Sequence, residues 1–165
     1  ARMESYYWIQ IYKLGSCIRK GGPLCDLMGP WFKPSGWPAI WWNLNTQMLY
    51  WPFPSANRIE MAENLSDALD KYQDNLVANV PKEFRKDSAG ISRCTGQDLL
   101  ETYDRWHERA NLVWTCHNLW WQYRHTMDDR FLREQLYPLL RRAVNLYLHL
   151  VEKGSDGKYH LPPSA

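Results

Sequence analysis

The sequence predicts an all-α protein made of antiparallel helical hairpins. Apolar residues recur every three or four positions over several long stretches, which is the period of an amphipathic helix. β-branched residues are sparse and nowhere alternate with polar residues over several positions, so no strand is predicted. One predicted helix is apolar or aromatic on both faces, as an inner helix of a two-layer helical toroid would be. Because 165 residues are too few to close a toroid, we expect residues 1–165 to form a single domain that is a fragment of a larger one.

The first half of the chain is predicted to hold three helices separated by prolines and glycines. The first runs from Met3 to Ile18 and stops at a Gly-Gly-Pro turn. Residues 22–42 contain four prolines, three glycines and four tryptophans, which predicts a long ordered loop. A short helix is expected over residues 43–51, and a longer one over residues 56–80, closed by a proline.

The second half is predicted to hold two long helices. Residues 82–100 are polar and lack a sustained period, so we expect a surface loop that covers a neighbouring element. A helix from Tyr103 to Thr126 follows. Asp128 and Asp129 then provide an N-cap and an acidic first turn for a helix over residues 130–153, which a glycine ends.

Composition excludes several classes of partner. Twenty Lys and Arg face 18 Asp and Glu, and this net charge of +2 is too small to favour nucleic acid or an anionic membrane as a partner. No apolar run approaches the roughly 20 residues that a membrane span needs. The opening residues also lack the order of a signal peptide, so the sequence itself indicates no compartment.

Four cysteines, at positions 17, 25, 94 and 116, form no CxxC pair and have no histidine at zinc spacing. We therefore predict no metal site and no cofactor, and interpret the cysteines mainly as buried thiols. The even count leaves a disulfide open. Ten tryptophans and ten tyrosines are the unusual feature of the composition, because such rings are common both in bulky cores and in sites that bind ligands with a polar rim.

The segment WWNLNTQMLYW places two carboxamides, Asn43 and Asn45, at a predicted helix start. Residues two apart point about 200° apart in a regular helix, so the pair can converge on one ligand only where the helix begins. Carboxamides both donate and accept hydrogen bonds without titrating, which suits binding of sugar hydroxyls or of a water molecule. The alternative is that Asn43 caps the helix and Asn45 is solvated.

The stretch NLNTQMLYW resembles the NxNxQMxYW signature of the catalytic domain of glycoside hydrolase family 95. This family includes inverting α-L-fucosidases and related exo-glycosidases built on an (α/α)6 toroid of the six-hairpin superfamily. A second stretch, WTCHNLWWQYRHTMDDRFLREQLYPLLRRAVNLYLHLV, is similar to the family's later helices and the short Asp turn between them. The resemblance covers nearly the whole chain from Met3 onward.

The resemblance implies a glycan substrate, an oligosaccharide or polysaccharide, and a periplasmic or secreted location. In the family, the two asparagines hold the attacking water together with a later Asp, and a Glu acts as general acid. Asn43 and Asn45 match the asparagines. The Glu is expected just past Ala165 and the Asp farther on, so the chain should need the remainder of its own catalytic domain for turnover.

Two departures from the family pattern bear on the substrate. Fucose-cleaving members usually carry a His where this chain has Trp41, which argues against L-fucose because an indole stacks on a sugar instead of hydrogen-bonding its hydroxyls. The family often reads Gln-His where this chain has His117 and Asn118, which moves the imidazole about 100° around the helix. The alternative for His117 is a core histidine. The predicted substrate-binding residues are Trp37, Trp41, Trp42, Trp114, His117 and Asn118.

Two other functions remain open at this point. A helical carbohydrate-binding or scaffolding module would keep the aromatic residues but lack the general acid. A tryptophan-rich module for apolar ligands would have a pocket without convergent carboxamides. The tryptophans before position 43 could also simply pin the loop to the helices. Acidic residues in or beside the polar loop are expected to be solvated and are not assigned a catalytic role, namely Asp87, Asp98, Glu101, Asp104 and Glu108.

Overall fold

The structure, a computed structural model, describes residues 2–31, 34–103 and 108–163. Helices dominate these residues, as the sequence predicts, and two small antiparallel sheets accompany them. No helix within them is both long and apolar enough to cross a membrane. The helices are α1 (Arg2–Cys17), α2 (Asn45–Tyr50), α3 (Pro52–Ser55), α4 (Ile59–Lys71), α5 (Gln73–Ala78), α6 (Asn111–Thr126), α7 (Asp129–Phe131) and α8 (Tyr137–Leu150). The strands are β1 (Ile40–Trp41), β2 (Cys94–Thr95), β3 (Glu101–Tyr103), β4 (Glu152–Lys153) and β5 (Tyr159–His160).

Helix α1 matches the first predicted helix but contacts the rest of the chain mainly at its C-terminal end. Ile11 is buried, whereas Met3 and Tyr7, on the same predicted face, are 82% and 44% exposed. Ile18, directly after the helix, is fully buried and holds that end in the core. Gly21 then takes a positive φ of 69°, a conformation that a residue without a Cβ adopts readily, and the helix stops as predicted.

The prediction that the chain has no strand is wrong. Strands β1, β2 and β3 form one antiparallel sheet in that order, with Trp41 opposite Cys94. The pairing continues one residue further, because the Trp42 N–H donates to the Arg93 carbonyl at 2.8 Å. Strands of two or three residues are too short to show an alternating pattern, so the sequence gives no strand signal.

The 82–100 segment was expected to be a surface loop, and for its middle part this is wrong. Residues 88–92 are buried. The Gly90 N–H donates to the Leu76 carbonyl at 3.0 Å, which ties the segment to α5. A Cβ added at Gly90 would lie 3.1 Å from a methyl of Val80, so glycine is what permits this close approach. The segment is therefore part of the core and not a cover over it.

The largest buried side chains are aromatic and lie directly after β1, on α2 and on α3. Trp42, Tyr50 and Phe53 are 2% exposed or less. The Trp42 indole N–H donates to Thr95 Oγ1 at 2.9 Å, and the Tyr50 hydroxyl donates to Asn64 Oδ1 at 3.0 Å. Each ring thus buries its apolar area while its polar atom keeps a hydrogen bond. These three rings fix the turn from β1 into the helices.

Helix α6 begins later than predicted but ends where predicted. The expected start at Tyr103 falls in β3, and residues 104–107 lie outside the described residues. The helix itself begins at Asn111. After Thr126 the chain reverses through Met127, which adopts a left-handed φ of 52°.

The predicted cap of the last helix is confirmed. Asp128 Oδ1 accepts hydrogen bonds from the N–H groups of Arg130 and Phe131, at 2.9 and 3.2 Å. Helical structure runs from residue 129 to residue 150, but the turn before Pro138 is π-helical. A proline cannot donate the regular hydrogen bond and crowds the preceding turn, which explains the local widening.

All four cysteines are free thiols, as interpreted from the sequence. Cys25, Cys94 and Cys116 are buried, and Cys17 is half-buried with its sulfur 3.3 Å from that of Cys25. Burial raises the pKa of the Cys116 thiol to about 12. Since the thiolate is the reactive form, such burial keeps this side chain inert at neutral pH.

The start of the 82–100 segment is fastened to α8 by polar contacts. The Arg142 guanidinium donates to the Ser88 carbonyl at 3.2 Å, and the Asn145 amide donates to the Asp87 carbonyl at 3.0 Å. The His149 imidazole lies 2.9 Å from the Asp87 carboxylate. The hydrogen bonds from His149 and Ser88 hold the pKa of Asp87 below its usual value.

Replacing Trp42 should strongly destabilise the protein. We expect Trp42→Ala to lower the free energy of unfolding of the full-length protein by about 3–5 kcal/mol, because it removes a fully buried ring and leaves a cavity. Trp37→Ala is the control, since Trp37 is 63% exposed; it should change the same quantity by about 0.5 kcal/mol or less. Urea unfolding measures both. Equal effects of the two substitutions would show that Trp42 is not the anchor of this turn.

The contact between Asp87 and His149 should make stability depend on pH in the acid range. The pKa of Asp87 is lower in the folded than in the unfolded chain, so its contribution is present above the ordinary aspartate pKa of about 3.9 and is lost as the pH falls through the lower folded value. Asp87→Asn should therefore lower the urea midpoint at pH 5 more than at pH 2. Asp74→Asn, on the exposed side of α5, is the matched control. A fall at pH 5 no greater than that of the control would contradict the prediction.

Candidate functional site

A cavity of about 480 Å³ lies beside Asn43, in the turn between β1 and α2. Its wall combines parts of the chain that are far apart in sequence: the turn before α2, the start of α6, the middle of α8 and the residues after β5. Polar and aromatic side chains share this wall. They include Asn43, Glu108, Asn111, Trp114 and Tyr147.

Asn43 is placed in this wall by the turn that follows β1. Residues 42–44 form this turn between β1 and α2, with Trp42 buried and Asn43 exposed. The burial of the Trp42 indole and the hydrogen bond from its backbone N–H to Arg93 fix where the turn begins. The Asn43 side-chain amide lies 3.5 Å from Glu108 Oε1.

Asn43 does not cap α2. The residue at the N-cap position is Leu44, and no side chain makes a capping hydrogen bond there. The alternative that Asn43 is a capping residue is therefore wrong. Asn45 is the first residue of α2 and its side chain is exposed, but it is not part of the cavity wall.

Glu108 is the charged centre of the cavity wall. Its side chain is only 14% exposed, and its Oε1 accepts a hydrogen bond from the Arg93 Nε at 2.7 Å. Its second oxygen accepts from the Asn111 side-chain amide at 3.3 Å. The same Asn111 amide also donates to the Ser92 carbonyl at 3.0 Å. A carboxylate so enclosed is stabilised by its cationic partner and by hydrogen bonds at both oxygens.

Sequence reasoning missed Glu108, which was expected to be solvated. Its decisive partner, Arg93, lies 15 residues earlier and is brought to it by the fold. No local pattern marks that contact.

Trp37, Trp41 and Trp42, which precede α2, have two different roles. Trp42 is fully buried and hydrogen-bonded, so the expectation that it contacts substrate is wrong: it anchors the loop instead. Trp41 is half-buried, with its indole N–H 3.2 Å from the Trp37 carbonyl. The rings of the exposed Trp37 and the half-buried Trp41 lie 5.5 Å apart and form an aromatic pair close in sequence to Asn43.

On α6, Trp114 contributes to the cavity wall and Asn118 does not. The Asn118 amide is 7% exposed and donates to the Gln47 carbonyl of α2 at 2.9 Å. The expectation that Asn118 contacts substrate is therefore corrected, because the side chain joins two helices in the core. Its burial follows from its place on the same helix face as Thr115 and Gln122, which are buried as well.

His117 is exposed, so the alternative that it is a core histidine is wrong. Its ring meets the edge of Trp121 at 5.8 Å, and Trp121 is itself 45% exposed. Helix α6 was expected to be covered on nearly all sides. In the part of the chain that the structure describes, the face carrying His117, Trp121 and His125 is open to solvent.

The chemistry available at the cavity is that of carboxamides, one carboxylate, the guanidinium of Arg109 and aromatic rings. Carboxamides and carboxylates hydrogen-bond hydroxyl groups, and the rings of Trp114 and Tyr147 offer flat apolar surface. Such a mixture suits a polyhydroxylated ligand with apolar faces. Among the described residues, no cluster of three or more His, Cys, Asp or Glu side chains could hold a metal ion.

The family model of the glycosyl hydrolase family 95 catalytic domain matches residues 3–165. The chain belongs to this family. It is also 30% identical, over 166 residues, to Alpha-L-fucosidase 2 of Arabidopsis thaliana, and the match covers 93% of this chain and 19% of that relative. The family 95 chain described here thus spans about a fifth of the length of the curated relative it matches. The resemblance found in the sequence motifs is confirmed.

The buried role of Asn118 in this family 95 chain leads to a stability test. Asn118→Leu should lower the free energy of unfolding by about 1–3 kcal/mol, because the Gln47 carbonyl then loses a buried hydrogen bond. His117→Leu, one position away on the exposed face, is the matched control and should have an effect of about 0.5 kcal/mol or less. Urea unfolding of the full-length protein compares the two. A larger effect of His117→Leu would overturn the structural role of Asn118.

Proposed function

We propose that this chain is part of the catalytic domain of an inverting exo-glycoside hydrolase that acts on oligosaccharides or polysaccharides. In this proposal, residues 1–165 are one fragment of a larger α/α toroid, and the remainder of the same domain completes the site. Membership of family 95 and the mostly helical structure support it. The observation that carries it is the position of Asn43 in a cavity wall that also contains Trp114 and Glu108.

In the proposed mechanism, Asn43 and Asn45 hold the water that attacks the anomeric carbon. Asn43 is in the cavity wall, and Asn45 stands two residues later at the first position of α2. A carboxamide oxygen accepts a hydrogen bond from the water and orients its lone pair toward the sugar. An amide cannot take up the proton at neutral pH, so the mechanism also needs a carboxylate base from elsewhere in the domain.

The proton donor for the leaving oxygen is proposed to be a Glu beyond Ala165. An inverting site places its two carboxyl groups roughly 6.5–9.5 Å apart, with the water and the sugar between them. The residues described here would then supply the water-positioning part of the site, and the later part of the domain would supply acid and base.

Aromatic side chains are proposed to bind the sugar. Trp114 lies in the cavity wall, and the exposed pair of Trp37 and Trp41 offers a second surface on which a sugar ring could stack. His117 is exposed on α6 and is proposed to contact more distant units of the glycan. The relative from Arabidopsis thaliana is named for L-fucose. Fucose-cleaving members usually carry a hydrogen-bonding histidine where this chain has Trp41. We therefore prefer, as candidate substrates, related sugars that do not need that hydrogen bond.

Kinetics of asparagine variants test this proposal. We would assay the full-length protein on aryl L-fucosides, L- and D-galactosides and L-arabinosides, and then compare Asn43→Ala and Asn45→Ala on the best substrate. Each substitution should lower kcat about 100-fold or more while KM changes about threefold or less, because a positioned water matters in the transition state and little in substrate binding.

Gln73→Ala is the control for removing a carboxamide, since Gln73 is exposed at the start of α5, donates to Asp70 at the end of α4 and is not part of the cavity wall. It should leave both constants unchanged. Sugar binding without turnover of any of these glycosides would instead favour a carbohydrate-binding module. Unchanged kcat in both asparagine variants of an active enzyme would refute the assigned roles.

A further inference from the structure

Asn43 and Glu108 form a contact that no family motif quoted above includes. The Asn43 Nδ2 lies 3.5 Å from Glu108 Oε1, across 65 positions of sequence. Both residues lie in the wall of the same cavity. Asn43 is the residue proposed above to hold the attacking water, so what orients its side chain bears directly on that role.

We propose that Glu108 is a positioning residue, which fixes the Asn43 carboxamide so that its carbonyl oxygen faces the attacking water. This inference rests on the proposed function. An amide has two ends of opposite character: the NH2 group donates and the oxygen accepts. Only the accepting end can draw a water proton and leave the water lone pair free for attack. An ionised carboxylate has acceptors alone, so it selects the NH2 end and turns the oxygen away from itself.

Glu108 can do this because it is itself held from two sides. The Arg93 Nε donates to Oε1 at 2.7 Å, and the Asn111 amide donates to Oε2 at 3.3 Å. Its side chain is 14% exposed and that of Arg93 is 31% exposed, so water competes little for these contacts. The carboxylate therefore has one position and does not sample the rotamers of a surface glutamate.

The contacts close a ring through the backbone. The Trp42 N–H donates to the Arg93 carbonyl at 2.8 Å, the Arg93 side chain holds Glu108, and Glu108 meets Asn43, which is bonded covalently to Trp42. Strand pairing thus sets the distance between the arginine and the asparagine that share one carboxylate. A closed ring of this kind leaves little freedom for the Asn43 side chain.

A double-mutant cycle in the full-length protein tests the inference. Glu108→Gln keeps the size of the side chain but adds a donor, so either end of the Asn43 amide can then face residue 108. We expect kcat to fall about 10- to 100-fold, with KM changed about threefold or less, because positioning is lost while sugar binding is kept. In an Asn43→Ala background the same change should lower kcat by about twofold or less, since the group it positions is gone.

Glu108→Asp keeps the acceptor-only character on a shorter side chain and should retain more activity than Glu108→Gln. If Glu108→Gln does not fold, the cycle is run with Glu108→Asp, and the same loss of effect in the Asn43→Ala background is expected. An undiminished effect of the Glu108 variant in that background overturns the inference, and so does a wild-type kcat for Glu108→Gln. If instead Asn43→Ala alone leaves kcat unchanged, the proposed water-holding role fails, and the positioning role fails with it.

Discussion

Burial of Trp42 is the constraint on which the candidate site depends. Its indole is enclosed completely and hydrogen-bonded to Thr95, while its backbone N–H pairs with Arg93. These contacts fix both the orientation and the register of the chain at the end of β1. The turn that starts at Trp42 places Asn43 in the cavity wall, and Arg93, directly before β2, lies within reach of Glu108. A core residue thus sets the geometry of a polar site.

Sequence analysis predicted the elements that depend on local periodicity. It did not predict the elements whose structure depends on contacts with distant parts of the chain. Helix α1, the end of α6 and the Asp128 cap follow from apolar spacing and capping chemistry, which act over a few residues. The burial of residues 88–92 could not be predicted, because these mostly small residues are placed by close contact with α5 and α8. Strands of two residues carry no pattern that sequence analysis can detect.

In the candidate site, too, some residues can be predicted from local sequence and others depend on distant contacts. Asn43 was found because it belongs to a motif and stands at a helix start, whereas Glu108 resembles any acidic residue next to a polar loop. Two of its three named partners, Arg93 and Asn43, lie 15 and 65 positions away and are brought to it by the fold. Trp42 and Asn118 are of residue types that often contact ligands, but both side chains are buried in the core. Aromatic and amide side chains serve cores and sites equally well, and only burial separates the two uses.

The side chains that this chain contributes to a family 95 domain favour some kinds of chemistry over others. The chain supplies carboxamides and a carboxylate already engaged by an arginine, groups that orient a water or a hydroxyl but are poorly suited to form a bond to the sugar. Such a set suits the direct attack by water that we propose, with the acid and the base supplied by the remainder of the domain.

The anomeric configuration of the first product therefore tests the central claim most directly. Proton NMR of the full-length protein acting on its best glycoside, recorded before the free sugar mutarotates, identifies that product. We expect the anomer opposite to that of the substrate, because one water displaces the leaving group from the far side. The same anomer as in the substrate would require a covalent intermediate, and would contradict a site in which Asn43 and Asn45 hold the attacking water.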